Sequence, residues 1–323
     1  MSESMMRAAR LMGPQQMEVI SVPVPEAGRG EVRVRLDGCG VCASNVPPWE
    51  GRDWFTYPFA PGALGHEGWG TVDAVGPEVS GFAVGQRVAS LGQNAYAEYD
   101  IVSADSLVPL PDTLASVPFP GEPLGCALNI FARSGIEAGQ TVAIVGIGFL
   151  GALLVRLASS RGARVLAIAH RPTAQTIAAQ MGAHEVIPMH DHWEIIERVK
   201  ELTNGDFCPV VIEAVGKQWP LDLAGELVGV RGRLVIAGYH QDGPRQVNMQ
   251  QWNWRGIDII NAHERDPQMY VRGVEQAIAA VAGGELDPAP LYTHTFPLEG
   301  LNDALRQTAE RPEGFVKALV RYR

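Results

Sequence analysis

The run Thr141-Val142-Ala143-Ile144-Val145 leads directly into Gly146-Ile147-Gly148-Phe149-Leu150-Gly151 and then into an apolar helical pattern. No other stretch narrows the fold as far. An uncharged five-residue run suits a strand buried on both faces, and the G-x-G-x-x-G spacing after it gives the turn a mechanical purpose. Gly146 makes the tight turn, Gly148 lets the backbone approach a pyrophosphate, and Gly151 lets helix and strand pack closely. The helix N-terminus, at Phe149 and Leu150, offers N–H groups and a positive dipole end to phosphate. The rhythm of apolar strand, turn and helix continues through residues 151–160, 164–168, 173–181, 210–214, 234–237 and 257–260. Such alternation predicts a parallel sheet covered on both faces, a doubly wound α/β domain that binds a dinucleotide.

The strand over 164–168 ends in Ala169-His170-Arg171, where a site for NAD would carry an Asp or Glu to accept from the ribose 2′-hydroxyl. A small residue followed by His and Arg leaves room for a 2′-phosphate and supplies a guanidinium to clamp it. NADP(H) is therefore expected over NAD(H). The plainer reading makes Arg171 a solvated residue that opens the next helix.

The N-terminal part reads differently. Short alternating runs broken by Gly and Pro cover 31–36, 70–75, 86–90 and 97–102, with Val32, Val34 and Leu36 on one face of the first, and predict a β-rich unit. After Ala262 come a helix over 267–282, a strand over 293–296, a helix over 298–309 and a closing strand over 315–320. With 323 residues, two domains are expected. Acidic residues outnumber basic ones, 36 to 26, and the net charge of −10 argues against nucleic acid or an anionic membrane as partner. The longest weakly polar stretch, 141–155, is too short for a bilayer span and is broken by glycines. Residues 1–11 carry Glu3, Arg7 and Arg10 and no apolar core, so no secretory signal is read and a cytoplasmic protein is expected. Cys39, Cys42, Cys126 and Cys208 are scattered in a way unlike a disulfide framework.

Gly38-Cys39-Gly40-Val41-Cys42-Ala43-Ser44 and Gly65-His66-Glu67-Gly68 lie in the β-rich part, and Gly121-Glu122-Pro123-Leu124 lies at its end. One Cys, one His and a carboxylate converging from separate loops would make a three-ligand zinc site with an open fourth position, as catalysis needs. These motifs, with the strand over 70–76, Gly85-Gln86-Arg87-Val88, Tyr96-Ala97-Glu98-Tyr99 and the glycine loop, follow one another in a family-specific order. The chain resembles the zinc-containing medium-chain dehydrogenases/reductases, the alcohol and polyol dehydrogenase superfamily, over nearly its whole length. That resemblance implies a GroES-like catalytic domain over 1–123, a Rossmann domain over 124–262 that binds the cofactor, and a return to the catalytic domain over 263–323. The active site would lie in the cleft between them. Cys42, His66 and Glu122 are implied as ligands of one zinc per chain, with Glu67 a neighbouring carboxylate that bonds near the metal or replaces its water. Ser44 is implied as the hydroxyl that takes the alcohol proton, and Ala214, Gly238 and Ala262 complete the cofactor-binding set. Cys39 is then a buried structural thiol. The implied reaction moves a hydride between NADP(H) and an alcohol, aldehyde or ketone, in a homodimer or homotetramer.

Three features depart from the family pattern. The lobe of four cysteines that holds a structural zinc is missing after the strand at Arg87-Val88, so one zinc is expected and not two. Asn45 stands where an Asp usually orients the zinc-binding histidine; its amide is expected to accept a hydrogen bond without carrying charge. Pro47 stands where some members have a His that relays the proton. Trp49, Trp54, Phe55 and Tyr57 lie where members line the substrate pocket, although loop packing would use them as well. Two rivals stay open: a zinc-free quinone or enoyl reductase of the same superfamily, and a non-catalytic NADPH-binding sensor.

Overall fold

The computed structural model describes residues 4–322, so Glu3 of the charged N-terminus lies outside them. The chain forms two compact units. One holds the residues up to Gly125 and from Asp266 onward, and the other holds Cys126–Arg265.

The elements of the first unit begin with β1 (Met5–Gly13), β2 (Gln16–Pro23), β3 (Glu31–Gly40), α1 (Val46–Glu50), β4 (Gly68–Val75), β5 (Arg87–Ser90), β6 (Tyr99–Ser103) and β7 (Leu107–Pro109). Helix α2 (Gly121–Ser134) runs from this unit into the second. There β8 (Thr141–Val145), α3 (Phe149–Ser160), β9 (Arg164–Ala169), α4 (Pro172–Gln180), β10 (Glu185–Pro188) and α5 (His192–Leu202) follow. Next come β11 (Cys208–Glu213), α6 (Gln218–Leu227), β12 (Val228–Ile236), α7 (Met249–Arg255) and β13 (Asp258–Asn261). The chain ends with α8 (Pro267–Ala282), β14 (His294–Pro297), α9 (Leu301–Glu310) and β15 (Ala318–Arg321) in the first unit.

In the second unit six parallel strands run in the order β10-β9-β8-β11-β12-β13, a doubly wound sheet. Ile144 of β8 lies opposite Ala167 of β9 and Ile212 of β11, and none of the three is exposed. Helices cover both faces, which is why the strands read as unbroken apolar runs. On one face Ile195, Ile196 and Val199 of α5 join Leu221, Ala224 and Leu227 of α6 over Val145 and Leu166. Burying each such aliphatic side chain stabilises by about 1.5–3 kcal/mol. The sequence rhythm passed over β10, a four-residue strand that ends in Pro188, and over the charged α5 and α6.

The first unit is antiparallel apart from the β14–β15 pair. Its main sheet runs β14-β15-β3-β4-β5-β7, with β6 paired to β3, and β1–β2 form a separate hairpin that turns at Gln15 with φ 59°. Val32, Val34 and Leu36 point into one core with Leu11, Val88, Val102, Leu301 and Val320, as their alternation predicts. The closing strand is shorter than the expected 315–320: pairing begins at Ala318. Among the described residues no helix is long and apolar enough to cross a membrane.

Between Ser90 and Ala95 the chain makes a short turn held by a buried acid. Asp100 Oδ2 accepts from Asn94 N–H at 3.3 Å, and a Cβ at Gly92 would lie 2.3 Å from the same oxygen. Burial raises the Asp100 pKa from 3.8 to about 6, against hydrogen bonds from Asn94 and Ile101 that lower it. The folded protein thus binds more protons than the unfolded chain between those two values, and stability falls as pH rises through them. The difference corresponds to about 3 kcal/mol above the higher value. We expect Asp100→Asn to raise Tm by several degrees near pH 8 and to leave it unchanged near pH 4, about the range where the wild-type acid is already neutral. Thermal unfolding across that range checks both.

Candidate active site

In the first unit β3 ends at Gly40 and the chain turns at once through Cys42, which opens a single 3-10 turn, Ala43–Asn45. His66 and Glu67 arrive just before β4. Two glycines let these segments meet. A Cβ at Gly40 would lie 1.8 Å from Glu67 Oε2, and one at Gly65 would lie 2.4 Å from Tyr96 N, so neither position has room for a side chain. The result is a group of three donors: atoms of Cys42, His66 and Glu67 all lie within 4.8 Å of one another.

His66 is oriented by backbone. Its Nδ1 lies 2.9 Å from the Leu64 carbonyl, so Nδ1–H donates there and Nε2 is left for Cys42 or a metal. Leu64 has φ 75°, a left-handed conformation that leucine rarely adopts and that costs about 1–3 kcal/mol, and it aims that carbonyl. Asn45 does not accept a bond from the histidine, contrary to the expectation. Its Nδ2 donates to the same Leu64 carbonyl at 3.0 Å, while its Oδ1 accepts from Tyr96 OH at 2.7 Å. The amide therefore fixes the acceptor that fixes the ring, and a donor is what that place requires.

Glu67 has no exposed surface, and Lys317 Nζ lies 2.6 Å from its carboxylate. Burial lowers the Lys317 pKa, but Glu67, Cys42 and Glu122 outweigh it and the net shift is upward. Glu122 sits in the first turn of α2, on a helix rather than the expected loop, and outside the 4.8 Å group. Its charge still reaches the site. Burial would lower the His66 pKa, yet the Cys42 charge and hydrogen bond, then Glu122 and Glu67, raise it to about 10. A thiol, an imidazole and a carboxylate gathered this closely are a donor set suited to zinc. Cys39 stands apart: fully buried, its thiol is pushed well up by burial and then by Glu67, as suits a structural role. Ser44 is half-buried in the 3-10 turn, and Pro47 is buried in α1. The aromatic group differs in membership from the expected one. Trp54, Phe55, Tyr57 and Phe59 form a chain of rings 5.5–6.1 Å apart, whereas Trp49 is buried and donates to Asn302.

In the second unit the glycine loop has the three geometries its spacing demands. Gly146 has φ 97°, a Cβ at Gly151 would lie 2.0 Å from Gly146 O, and a Cβ at Gly148 would meet nothing within 4 Å. The space at Gly148, at the start of α3 where Phe149 and Leu150 follow, is open, which leaves the N–H groups of that helix end accessible to an anion. Ala169 is fully buried at the end of β9, His170 Nδ1 lies 2.9 Å from Met189 O, and Arg171 caps α4. Ala214, Gly238 and Ala262 end the next strands and bond to Val145 O, Glu213 O and Ile236 O. The sequence reading missed Glu213 here. It is buried, accepts from Val215 and Gly216 N–H at 2.7 and 2.8 Å, and lies 2.9 Å from His240 Nε2. Arg245 Nε donates to His240 Nδ1 at 3.0 Å, so the ring is neutral and its Nε2–H donates to Glu213.

Residues 28–112 match the alcohol dehydrogenase GroES-like domain family, and residues 150–280 match the zinc-binding dehydrogenase family. An alcohol dehydrogenase of Geobacillus stearothermophilus is 33% identical, over 89% of this chain and 91% of that protein. The chain is a medium-chain dehydrogenase/reductase. A quinone oxidoreductase of Pseudomonas aeruginosa is also similar to this dehydrogenase/reductase, 34% identical over 72% of each chain. A solved zinc-binding dehydrogenase of Sinorhizobium meliloti bound to NADP superposes with a TM-score of 0.86 at 26% identity, over 99% of this chain and 100% of that one.

Lys317, beside Glu67, is a second residue of this medium-chain dehydrogenase/reductase that motif reading overlooked. Its signal was a lone cation inside the apolar run Phe315-Val316-Lys317-Ala318-Leu319-Val320. Lys317→Met leaves a buried carboxylate without its cation, and we expect it to destabilise the metal-free protein by about 3–5 kcal/mol. Adding Glu67→Gln should recover most of that loss, which denaturant unfolding of the single and double variants will measure.

Proposed function

We propose that this medium-chain dehydrogenase/reductase is a zinc-dependent oxidoreductase that moves a hydride between NADP(H) and an alcohol, aldehyde or ketone, acting in the cell as a carbonyl reductase. The grouping of Cys42, His66 and Glu67 within 4.8 Å carries the reading. Cys42 and His66 would be ligands; Glu122, whose charge reaches His66, would supply the third as in relatives of this family, while Glu67 would stay beside them on Lys317. A single zinc per chain agrees with the short turn between Ser90 and Ala95. When bound, zinc supplies Lewis-acid polarisation of the substrate oxygen, and the cofactor carries the hydride. Ser44 Oγ holds and passes the proton of the substrate hydroxyl. Gly146, Gly148 and Gly151, with the α3 N-terminus, seat the pyrophosphate. His170 and Arg171 take the 2′-phosphate in the absence of an acid at Ala169. The NADP bound to the Sinorhizobium meliloti relative supports that choice. The ring group from Trp54 to Phe59 supports an apolar or ring-bearing substrate. Four free cysteines support a cytoplasmic location.

The likeness to a quinone oxidoreductase favours a second reading, a zinc-free quinone reductase. NADPH oxidation over a panel of aldehydes, ketones and quinones, with zinc analysis, separates the two. We expect about one zinc per chain and turnover of a carbonyl. Altering a residue that only hydrogen-bonds to a metal ligand costs roughly 10–100-fold, so loss of a ligand in Cys42→Ser should cost more than a hundredfold. Arg171→Asp should shift the NADPH-to-NADH efficiency ratio at least about tenfold toward NADH. Metal-free protein that turns over a quinone would replace zinc by the second reading, and cofactor binding without any turnover would make the chain a sensor.

We also read the chain as a homodimer or homotetramer. Strand β13 is an unpaired sheet edge, and Trp254 and Val230 are 89% and 75% exposed on the same unit. Light scattering should return two or four chain masses, and Trp254→Glu should shift the protein toward monomer.

A further inference from the structure

Alternation along β3 sends Val32, Val34 and Leu36 into the core of the first unit and turns Arg33, Arg35 and Asp37 to the opposite face of the same sheet. Arg35 lies directly across from Thr71 of β4, and Thr71 lies directly across from Arg87 of β5. Residues paired in this way project on one side of a sheet. Neighbouring strands are about 4.8 Å apart, so the two arginine backbones are roughly 10 Å apart with one short hydroxyl side chain between them.

The cations on this face are unequally matched. Arg33 gives Nε and Nη2 to Asp73 Oδ2 at 2.8 and 2.7 Å, and Nη1 to Pro25 O at 2.9 Å. Arg87 Nη1 is paired with Asp37, and Arg321 of β15 lies over the Trp69 ring, 5.9 Å from its centroid. Arg35 is different. Among the described residues no carboxylate, hydrogen bond or ring engages it, and its Nε is buried without a partner, as is Arg87 Nε. A buried donor on a charged group is costly to leave unpaired, and on a chain of net charge −10 a cation that has drawn no carboxylate is a local exception. Beside the Arg35–Thr71 pair the surface dips into a cavity of about 220 Å³ lined by Arg35, Thr71, Val72, Asp73, Val84 and Gly85. Asp73, the carboxylate in that lining, is already matched by Arg33.

We propose that Arg35, Thr71 and Arg87 form a binding site for a phosphate group, carried by inorganic phosphate or by a small phosphomonoester. Arg35 supplies the planar fork that matches two phosphate oxygens, Thr71 supplies a hydroxyl, and Arg87 adds a second positive charge with a free Nε–H. The site is independent of the zinc and dinucleotide readings, because all three residues belong to the sheet of the first unit and face away from its core. An anion held across β3, β4 and β5 binds the folded sheet and not the unfolded chain, so it stabilises the protein by mass action.

Titration calorimetry of the full-length protein with inorganic phosphate and with methyl phosphate, at an ionic strength held constant with sodium chloride, tests the site. The helix end at Gly148 with Arg171 is the other candidate place for phosphate, so Arg171→Asp is titrated beside the wild type. We expect Arg35→Gln to weaken phosphate at least about tenfold, and Arg35→Lys, which keeps the charge and loses the fork, to weaken it severalfold. Arg171→Asp should leave this binding unchanged. Phosphate should also raise Tm in the wild type and in Arg171→Asp but not in Arg35→Gln. Should Arg35→Gln fail to fold, Arg35→Lys and Thr71→Val carry the test. No phosphate binding by the wild type, or binding that Arg35→Gln leaves intact, would overturn the site. Methyl phosphate bound as tightly as inorganic phosphate would assign a phosphomonoester to it, and binding of inorganic phosphate alone would assign the free ion; either result keeps the site.

Discussion

A carboxylate with no exposed surface needs a cation, and Glu67 finds one 250 residues away in sequence, at Lys317. Much of the first unit is arranged around this pair. Lys317 leads into β15, which pairs with the end of β3 where Cys39 and Gly40 lie, and Glu67 leads into β4 on the other side of β3. The two charges therefore close the same strand end from opposite neighbours. A buried ion pair of this kind is weak evidence of net stability, because desolvation offsets attraction. Its physical effect is specificity: a slip of either strand would leave one charge alone in the core.

The donor group depends on backbone as much as on charge. Gly40 admits the Glu67 carboxylate, Gly65 admits the Tyr96 backbone, and Leu64 in a left-handed conformation aims a carbonyl at His66. Asn45 works within that frame. A carboxylate in its place would set an oxygen against the Leu64 carbonyl at 3.0 Å, oxygen facing oxygen, whereas the amide donates. The departure from the family pattern at this position thus fits its surroundings, and it gives no support to a chain that has lost its chemistry.

The glycine loop and its sheet were legible because both faces of β8 are covered, so burial wrote an uninterrupted apolar run into the sequence. Cys42, His66 and Glu67 were legible because each sits in a short motif beside a glycine whose reason is steric. What escaped was set by distance or by backbone shape. Lys317 and Glu67 are unremarkable singly, and only the β3–β15 pairing brings them together. The role of Asn45 could not be read without the direction of the Leu64 carbonyl, which no side-chain pattern encodes. Strand β10 was lost because four residues ending in proline carry too little periodicity, and Phe59 because ring contact in a loop has none.

Three buried acids show how differently this chain handles the same cost. Glu67 is held by a full opposite charge, and it is also one of the groups that raise the affinity of His66 for a proton. Glu213 is held by two backbone N–H groups and by the His240 ring, which itself accepts from Arg245. Asp100 has weaker help, a 3.3 Å bond from Asn94 among others, and so its pKa climbs to about 6. The same cost is met by a full opposite charge at Glu67, by backbone N–H groups at Glu213, and at Asp100 in part by a raised pKa.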